Sequence, residues 1–144
     1  MVDVLRLQEA TDEAVLDINA LLPQLRSNPA GHQGTLSDLQ GVIGDPSITM
    51  IVAKDGKRII GMGFLYTVLK MGKRSGSIED IVVDDSYRGK GVGKRIMNAL
   101  TEAARNEKIQ QLYLTTRADR IAAHKLYESL GFMQVQTDVF RLDL

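Results

Sequence analysis

The sequence predicts one mixed α/β domain spanning residues 1–144, and three observations carry that reading. Strand-like and helix-like patterns alternate along the chain, and the second half reads strand, loop, helix, strand, helix. Nothing resembles an interdomain linker or a solenoid repeat. The length of 144 residues suits one substantial core and not two.

The elements follow in order. Met1 to Leu7 alternates weakly and predicts a first strand. Thr11 and Asp12 suit the cap of a helix whose apolar positions, Val15, Ile18, Leu22 and Leu25, recur at helical spacing. Asn28-Pro29-Ala30-Gly31 breaks the chain, and Ser37 to Val42 suits a short second helix. After the turn signal Asp45-Pro46, Ser47 to Ala53 reads as a strand. Lys54-Asp55-Gly56-Lys57 connects it tightly to the β-rich run Arg58 to Leu69, which predicts a hairpin. Gly72 to Gly76 reads as a polar turn. Ser77 to Val83, SIEDIVV, carries enough Ile and Val for a central strand buried on both faces.

A long helix comes next, with Val92, Ile96, Ala99, Leu100, Ala103 and Ala104 on one stripe and Lys94, Arg95, Asn98, Glu102 and Arg105 opposite. Gln111 to Thr115 predicts another short strand. Ile121 to Leu130 is a second amphipathic helix ended by Gly131, with Asp119 placed to cap its start. Val135 and Val139 to Leu142 can add one or two last strands.

Composition removes several function classes. The 44% hydrophobic and 25% charged residues are ordinary globular proportions and argue against wholesale disorder. Eighteen basic residues balance eighteen acidic ones, so no global field draws nucleic acid or an anionic membrane. Without cysteine there is no disulfide, thiolate nucleophile or cysteine-bound metal. His32 and His124 match no metal-ligand spacing. Asp3, Arg6, Glu9, Asp12, Glu13 and Asp17 break up the early apolar residues, the wrong pattern for a signal peptide. The longest apolar run, Ile59 to Leu69, is too short to span a bilayer. These features predict a soluble, cytoplasmic protein with no metal, nucleic-acid or membrane partner.

The chemistry concentrates in Arg88 to Arg95, RGKGVGKR, where four basic residues and no acid stand between a strand and a helix start. Unpaired N–H groups and the positive end of the helix dipole meet there. Glycines let the backbone approach an anion closely, so the loop suits a phosphate cradle; a flexible turn with solvated charges is the alternative. The P-loop pattern fails, because Arg88 holds its first glycine position and Arg95 its Ser/Thr position. The dinucleotide pattern fails too, since Gly89, Gly91 and Gly93 are spaced G-x-G-x-G.

Arg88, Gly91 and Gly93 do fit Arg-x-x-Gly-x-Gly. With IEDIVVDDSYRGKGVGKRIMNAL and then AAHKLYESLGF, the chain resembles the GNAT superfamily of acetyl-CoA-dependent N-acetyltransferases over roughly Ile78 to Phe132, about a third of its length. The segment SIEDIVVDDSYRGKGVGK is also similar to that of glucosamine-6-phosphate N-acetyltransferases. The resemblance implies a GNAT-like domain with a twisted, mixed but mostly antiparallel sheet of 6–7 strands flanked by about four helices. It implies acetyl-CoA as co-substrate, its pyrophosphate held by the amides of Arg88, Gly89, Lys90, Gly91, Val92, Gly93 and Lys94. Its pantetheine arm would pair with the backbone of Ile81, Val82 and Val83. A homodimer is a further implication.

Acetyl transfer to an amine needs a proton acceptor, a polarised carbonyl and a stabilised leaving thiolate, and no covalent intermediate. By resemblance, Tyr127 is the general acid toward sulfur; a core aromatic beside Leu126 and Leu130 is the alternative. Glu79 and Asp80 interrupt an apolar strand, where a carboxylate costs free energy unless paired or solvated in a cleft. Glu79 is the first candidate for base or amine anchor and Asp80 the second, against a plain salt bridge or strand-end location.

His124 and Arg120 stand where family members often carry an asparagine. Lys125 is a candidate for the adenosine 3′-phosphate or for a solvated helix face. The acceptor would be chosen by Leu21 to Gly44, with Arg26, Asn28, His32 and Gln33, and by Gln134 to Leu144, where Arg141 suits a carboxylate or phosphate. The expected acceptor is a small-molecule primary amine; the alternatives are a protein or peptide amine, or a non-catalytic acyl-CoA sensor.

Overall fold

A computed structural model describes residues 1–25 and 32–144. The expected chain break at Asn28 to Gly31 lies outside the described residues, as do Arg26 and Asn28. The chain divides into two compact units, Met1–Leu114 and Thr115–Leu144.

The first unit runs β1 (Val2–Arg6), α1 (Asp12–Leu21), α2 (Leu36–Gly44), β2 (Ile48–Asp55), β3 (Arg58–Lys70), β4 (Lys73–Val83), α3 (Val92–Asn106) and β5 (Gln111–Tyr113). Thr11 caps α1 as expected, its hydroxyl accepting the Ala14 N–H at 3.1 Å. Leu22 and Leu25 lie just past α1, at a 3₁₀ turn over Leu22–Gln24. Thr35 and Asp38 form a reciprocal capping box on α2.

The strands form one sheet in the order β1-β2-β3-β4-β5. The first three pairings are antiparallel, and β4 with β5 is parallel. The expected hairpin joins β2 and β3, with Asp55 opposite Arg58 and Gly56 at φ 61°. The next connection is tighter than the expected polar turn over Gly72 to Gly76. Lys70 pairs with Lys73, and Gly72 at φ 80° supplies the left-handed backbone that a two-residue hairpin turn needs.

Alternation puts two different faces to use. Met50, Val52, Met62, Phe64 and Val82 join Leu21 and Leu39 of the helices in one core cluster. On the opposite face, Gly61 and Gly63 admit Ile96 and Leu100 of α3. Ile96, Met97 and Leu100 are fully buried, so Met97 joins the predicted stripe. Glu107, just past α3, accepts hydrogen bonds from Thr67 Oγ1 at 2.5 Å and Thr49 Oγ1 at 3.5 Å, tying the helix end to the sheet. No helix among the described residues is long and apolar enough to cross a membrane.

In the second unit, α4 (Ile121–Ser129) ends at Gly131 with φ 93°, the C-terminal glycine the sequence predicts. Its N-cap is Arg120 rather than Asp119, and the Arg120 side chain makes no capping bond. The sheet of five strands corrects the expected six or seven. Val135, Val139, Phe140 and Leu142 are exposed, and no strand forms beyond Phe132 among the described residues. β-rich composition suits a strand's side chains, but a strand also needs a neighbouring ladder for its backbone groups, and that segment has none among the described residues.

Candidate active site

The strand bearing the predicted acids is bulged where they sit. Met62 pairs with Val82 and Phe64 with Glu79, so Asp80 and Ile81 together oppose Gly63. Asp80 takes up the extra residue at φ 55°, a left-handed conformation rare outside glycine. Both Glu79 and Asp80 are exposed, which removes the desolvation expected for acids in a buried central strand.

Three register positions define the row beneath Glu79. Met50 of β2 faces Phe64 of β3, which faces Glu79 of β4, and directly opposed side chains share one face of a sheet. One step along, Tyr66 faces Ser77, whose Oγ donates to Glu79 Oε1 at 2.7 Å. Burial, then the charges of Asp80 and Glu79, raise the Tyr66 hydroxyl above its ordinary pKa, so it stays neutral at physiological pH. Phe64 stacks on Tyr66 with ring centroids 6.1 Å apart. Sequence reading missed Phe64, Tyr66 and Ser77 because their proximity to Glu79 depends on the hairpin register. The strand pattern with its two-residue turn is the one signal that could have supplied it.

A cavity of about 100 Å³ adjoins this row, walled by α1, α2 and the sheet. Asn19 braces its rim: its Nδ2 donates to the Gly34 carbonyl at 3.0 Å and its Oδ1 accepts the Gly34 N–H at 2.8 Å. Asp38 also lines it and titrates below the usual carboxylate range, chiefly through the Thr35 backbone N–H. A concavity of about 380 Å³ is lined by Gln134 to Asp138, five consecutive residues that cannot enclose a ligand by themselves.

At its other end β4 leads through a 3₁₀ turn, Asp85–Tyr87, into the glycine loop. Asp84 caps that turn, accepting from Ser86 N–H at 3.0 Å, and pairs with Arg58 at 3.1 Å. Gly89 and Gly91 have φ 76° and 78°, and space is open where a Cβ would stand on either. Gly91 is the N-cap of α3 and offers no side chain to its first-turn N–H groups, which therefore lack intrahelical partners.

Of the four basic residues, two are committed elsewhere. Arg88 pairs with Asp85 at 2.6 Å and donates to the Val83 carbonyl, while Arg95 donates to the Val2 carbonyl at 2.8 Å. Lys90 lies over the Tyr87 ring at 5.3 Å, and Lys94 meets no partner among the described residues. This is a pre-shaped, cationic backbone cradle, the donor set that a pyrophosphate fits.

Beside the loop, β4 touches β5 only over Ser75 to Ser77, opposite Gln111 to Tyr113. Ile81, Val82 and Val83 therefore lie beyond the end of that ladder.

In the second unit Tyr127 packs edge-on against Phe132, with ring centroids 6.1 Å apart. Its hydroxyl makes no hydrogen bond among the described residues, and burial holds it above its ordinary pKa. His124 Nε2 lies 3.0 Å from the Arg117 carbonyl. Arg141, expected to suit a carboxylate or phosphate, pairs with Asp143 at 2.7 Å within the exposed tail.

The sequence model described as the acetyltransferase (GNAT) family matches residues 16–132. A glucosamine 6-phosphate N-acetyltransferase of Trypanosoma brucei brucei is 37% identical over 90 residues, covering 60% of this chain and 58% of that protein. Across the first curated relatives, the chain spans 20% to 58% of their length. A crystal structure of a Trypanosoma brucei acetyltransferase superposes with TM-score 0.80 at 26% identity, covering all of both chains. AAC(6′)-Iy in complex with a CoA-linked bisubstrate analogue shares the fold, with TM-score 0.77, 18% identity, and 100% and 99% coverage. The matched residues take in both the bulged acid strand and the glycine loop, and the chain belongs to the GNAT acetyltransferase family.

Proposed function

We propose that this protein is an N-acetyltransferase that moves an acetyl group from acetyl-CoA to a primary amine of a small molecule by direct attack. One observation carries the reading: a single strand, β4, bears the exposed Glu79 at its bulge and leads, through one 3₁₀ turn, into the anion cradle at the start of α3.

In this reading the amides of Gly89, Lys90, Gly91, Val92, Gly93 and Lys94 bind the pyrophosphate, with the Lys90 and Lys94 ammonium groups adding charge. The Arg88 amide, expected to join them, donates instead to the Asp85 carbonyl at 3.3 Å. The backbone of Ile81, Val82 and Val83 positions the pantetheine arm. The bound thioester supplies the acetyl group. Glu79, its carboxylate held by Ser77, attracts the acceptor ammonium and takes its proton, and Asp80 reinforces the negative field. Tyr127, neutral at physiological pH, holds a proton at its hydroxyl for the leaving sulfur. The absence of cysteine is consistent with transfer in one step.

The exposed Val139, Phe140 and Leu142 support the further reading that two copies associate, which sedimentation equilibrium would test. For the activity, the test is thiol release from acetyl-CoA across a panel of amines, with calorimetric binding of acetyl-CoA in parallel. Turnover that is lost in Glu79→Gln while binding persists supports the enzyme. Binding without thiol release from any amine would mark a sensor, and no binding would remove the cofactor assignment.

A further inference from the structure

We propose that the acceptor is a small primary amine carrying a compact apolar group of three or four carbons and no anionic group, with the apolar group seated in the cavity between α1, α2 and the sheet. This rests on the acetyltransferase reading above and gives its acceptor a chemical class.

The walls argue first. Val15, Ile18, Leu39, Val42, Met50 and Phe64 supply the apolar surface. The polar residues at the rim are already engaged with protein. Asn19 is clamped to Gly34 in both directions, and Thr35 and Asp38 satisfy one another across the α2 cap. Asn19 and Thr35 are bonded to protein, and only the Asp38 carboxylate at the exposed rim keeps acceptor capacity. Most of a sugar's hydroxyl groups would therefore meet no free polar side chain, and burying them without partners is unfavourable.

Charge argues second. No Lys or Arg lines the cavity among the described residues, whereas Asp38 does and stays ionised. A phosphate or carboxylate placed there would face a like charge with no compensating cation among the described residues. An ammonium group is favoured instead, with Glu79 and Asp80 close by.

Size and reach argue third. Apolar cavities of about 150 Å³ take up benzene, so about 100 Å³, two-thirds of that space, suits a smaller branched aliphatic group of three or four carbons. Phe64 is both a wall of the cavity and the register partner of Glu79, and directly opposed side chains stand about 5 Å apart. A short amine can therefore span from the carboxylate to the cavity.

The test measures kcat and KM for 3-methylbutylamine, leucinamide, ethanolamine and glucosamine 6-phosphate, with acetyl-CoA binding followed by calorimetry on the same samples. The expected result is a preference for the two branched amines, with kcat/KM falling about fourfold for each methylene removed. Val42→Phe, which fills the cavity, should lower the ratio of kcat/KM for 3-methylbutylamine to that for ethanolamine at least tenfold. Val15→Leu is the milder second variant if the first folds poorly, and should move the same ratio in the same direction. Preference for glucosamine 6-phosphate, or an unchanged ratio in folded variants, would overturn the proposal. Faster turnover of a leucine-initiated tetrapeptide than of leucinamide would overturn its small-molecule half. Bound acetyl-CoA without turnover of any of these amines would also overturn it, whereas loss of acetyl-CoA binding would strike the acetyltransferase reading itself.

Discussion

Ser77 donates a 2.7 Å hydrogen bond to Glu79 two residues along β4, on the face that both share with Phe64 and Tyr66. The bond fixes one carboxylate oxygen and leaves the other open to an incoming ammonium. Holding a charged group in one orientation before substrate arrives reduces what must be ordered at the moment of reaction. It also explains why an acid can stand in a strand of Ile and Val, since the residue is exposed and one of its oxygens is already satisfied.

Glu79→Gln keeps the shape and removes the charge. Thiol release at neutral pH should fall 10²- to 10⁴-fold, the usual contribution of a positioned general base. Acetyl-CoA affinity should stay unchanged, because the cradle lies at the far end of β4. Ser77→Ala should cost less, lowering kcat severalfold. Steady-state kinetics with calorimetry in parallel check both, and equal losses in the two variants would show that Ser77 does more than orient its neighbour.

Gly63 is where the bulge meets α3, and its missing side chain is a packing requirement. A methyl group there would overlap Ile81 Cδ1 and stand 3.0 Å from Ile96 Cγ2 and Leu100 Cδ1. Gly63→Ala should therefore destabilise the fold by about 1–3 kcal/mol. That corresponds to a melting temperature lower by several degrees, read by calorimetry. Adding Ile81→Val removes the overlapping carbon, so the double variant should recover part of the loss, and simple additivity would refute the contact.

Where local chemistry decides structure, these elements were legible in the sequence. Thr11 caps a helix because its hydroxyl reaches a backbone N–H group, and Gly56 and Gly131 take positive φ where turns require it. The glycine loop was legible for the same reason, since its spacing, charge and place before a helix are all local. Non-local relations were not. The bulge at Asp80 depends on how β3 and β4 align, so the row of Met50, Phe64 and Glu79 left no mark on any one segment. The β-rich residues Val139 to Leu142 predicted a strand, yet side-chain type says nothing about whether a ladder is present. Likewise the four basic residues of the loop looked equivalent, while Arg88 and Arg95 are held by Asp85 and by the Val2 carbonyl.

Tyr127 gives a prediction in pH. Burial raises its pKa above the ordinary value of 10.0, partly countered by Arg120, so the neutral hydroxyl is favoured in the folded state. The stability that this contributes is complete below pH ~10 and declines as pH rises through the folded-state pKa, because the unfolded chain ionises first. Wild type should therefore lose more stability than Tyr127→Phe between about pH 9.5 and 11, measured by thermal melts across that range. At neutral pH the same variant should lower kcat roughly 10²- to 10⁴-fold if the hydroxyl delivers the proton to sulfur. Loss of the pH difference would mean the ring is not buried in solution. A normal rate would leave Tyr127 as a packing residue against Phe132.

The glycine loop separates backbone strain from ligand binding. Gly89 and Gly91 share nearly the same left-handed φ and the same open surroundings, so a side chain on either costs conformational strain of about 1–2 kcal/mol and no steric clash within the protein. Only Gly91 is the N-cap, where a glutamate side chain would turn a carboxylate toward the first-turn N–H groups and compete with an incoming phosphate. Gly91→Glu should therefore weaken acetyl-CoA binding at least 100-fold, while Gly89→Ala loses a similar amount of thermal stability with binding within a few-fold of wild type. Lys94→Gln should weaken binding by a smaller factor and reduce its salt dependence, since that ammonium group acts as a point charge at the surface. Calorimetric titration at two ionic strengths, with melting temperatures for each variant, resolves the three effects. Equal binding losses in the Gly89 and Gly91 variants would show that loop conformation, rather than the N–H cradle, controls acetyl-CoA affinity.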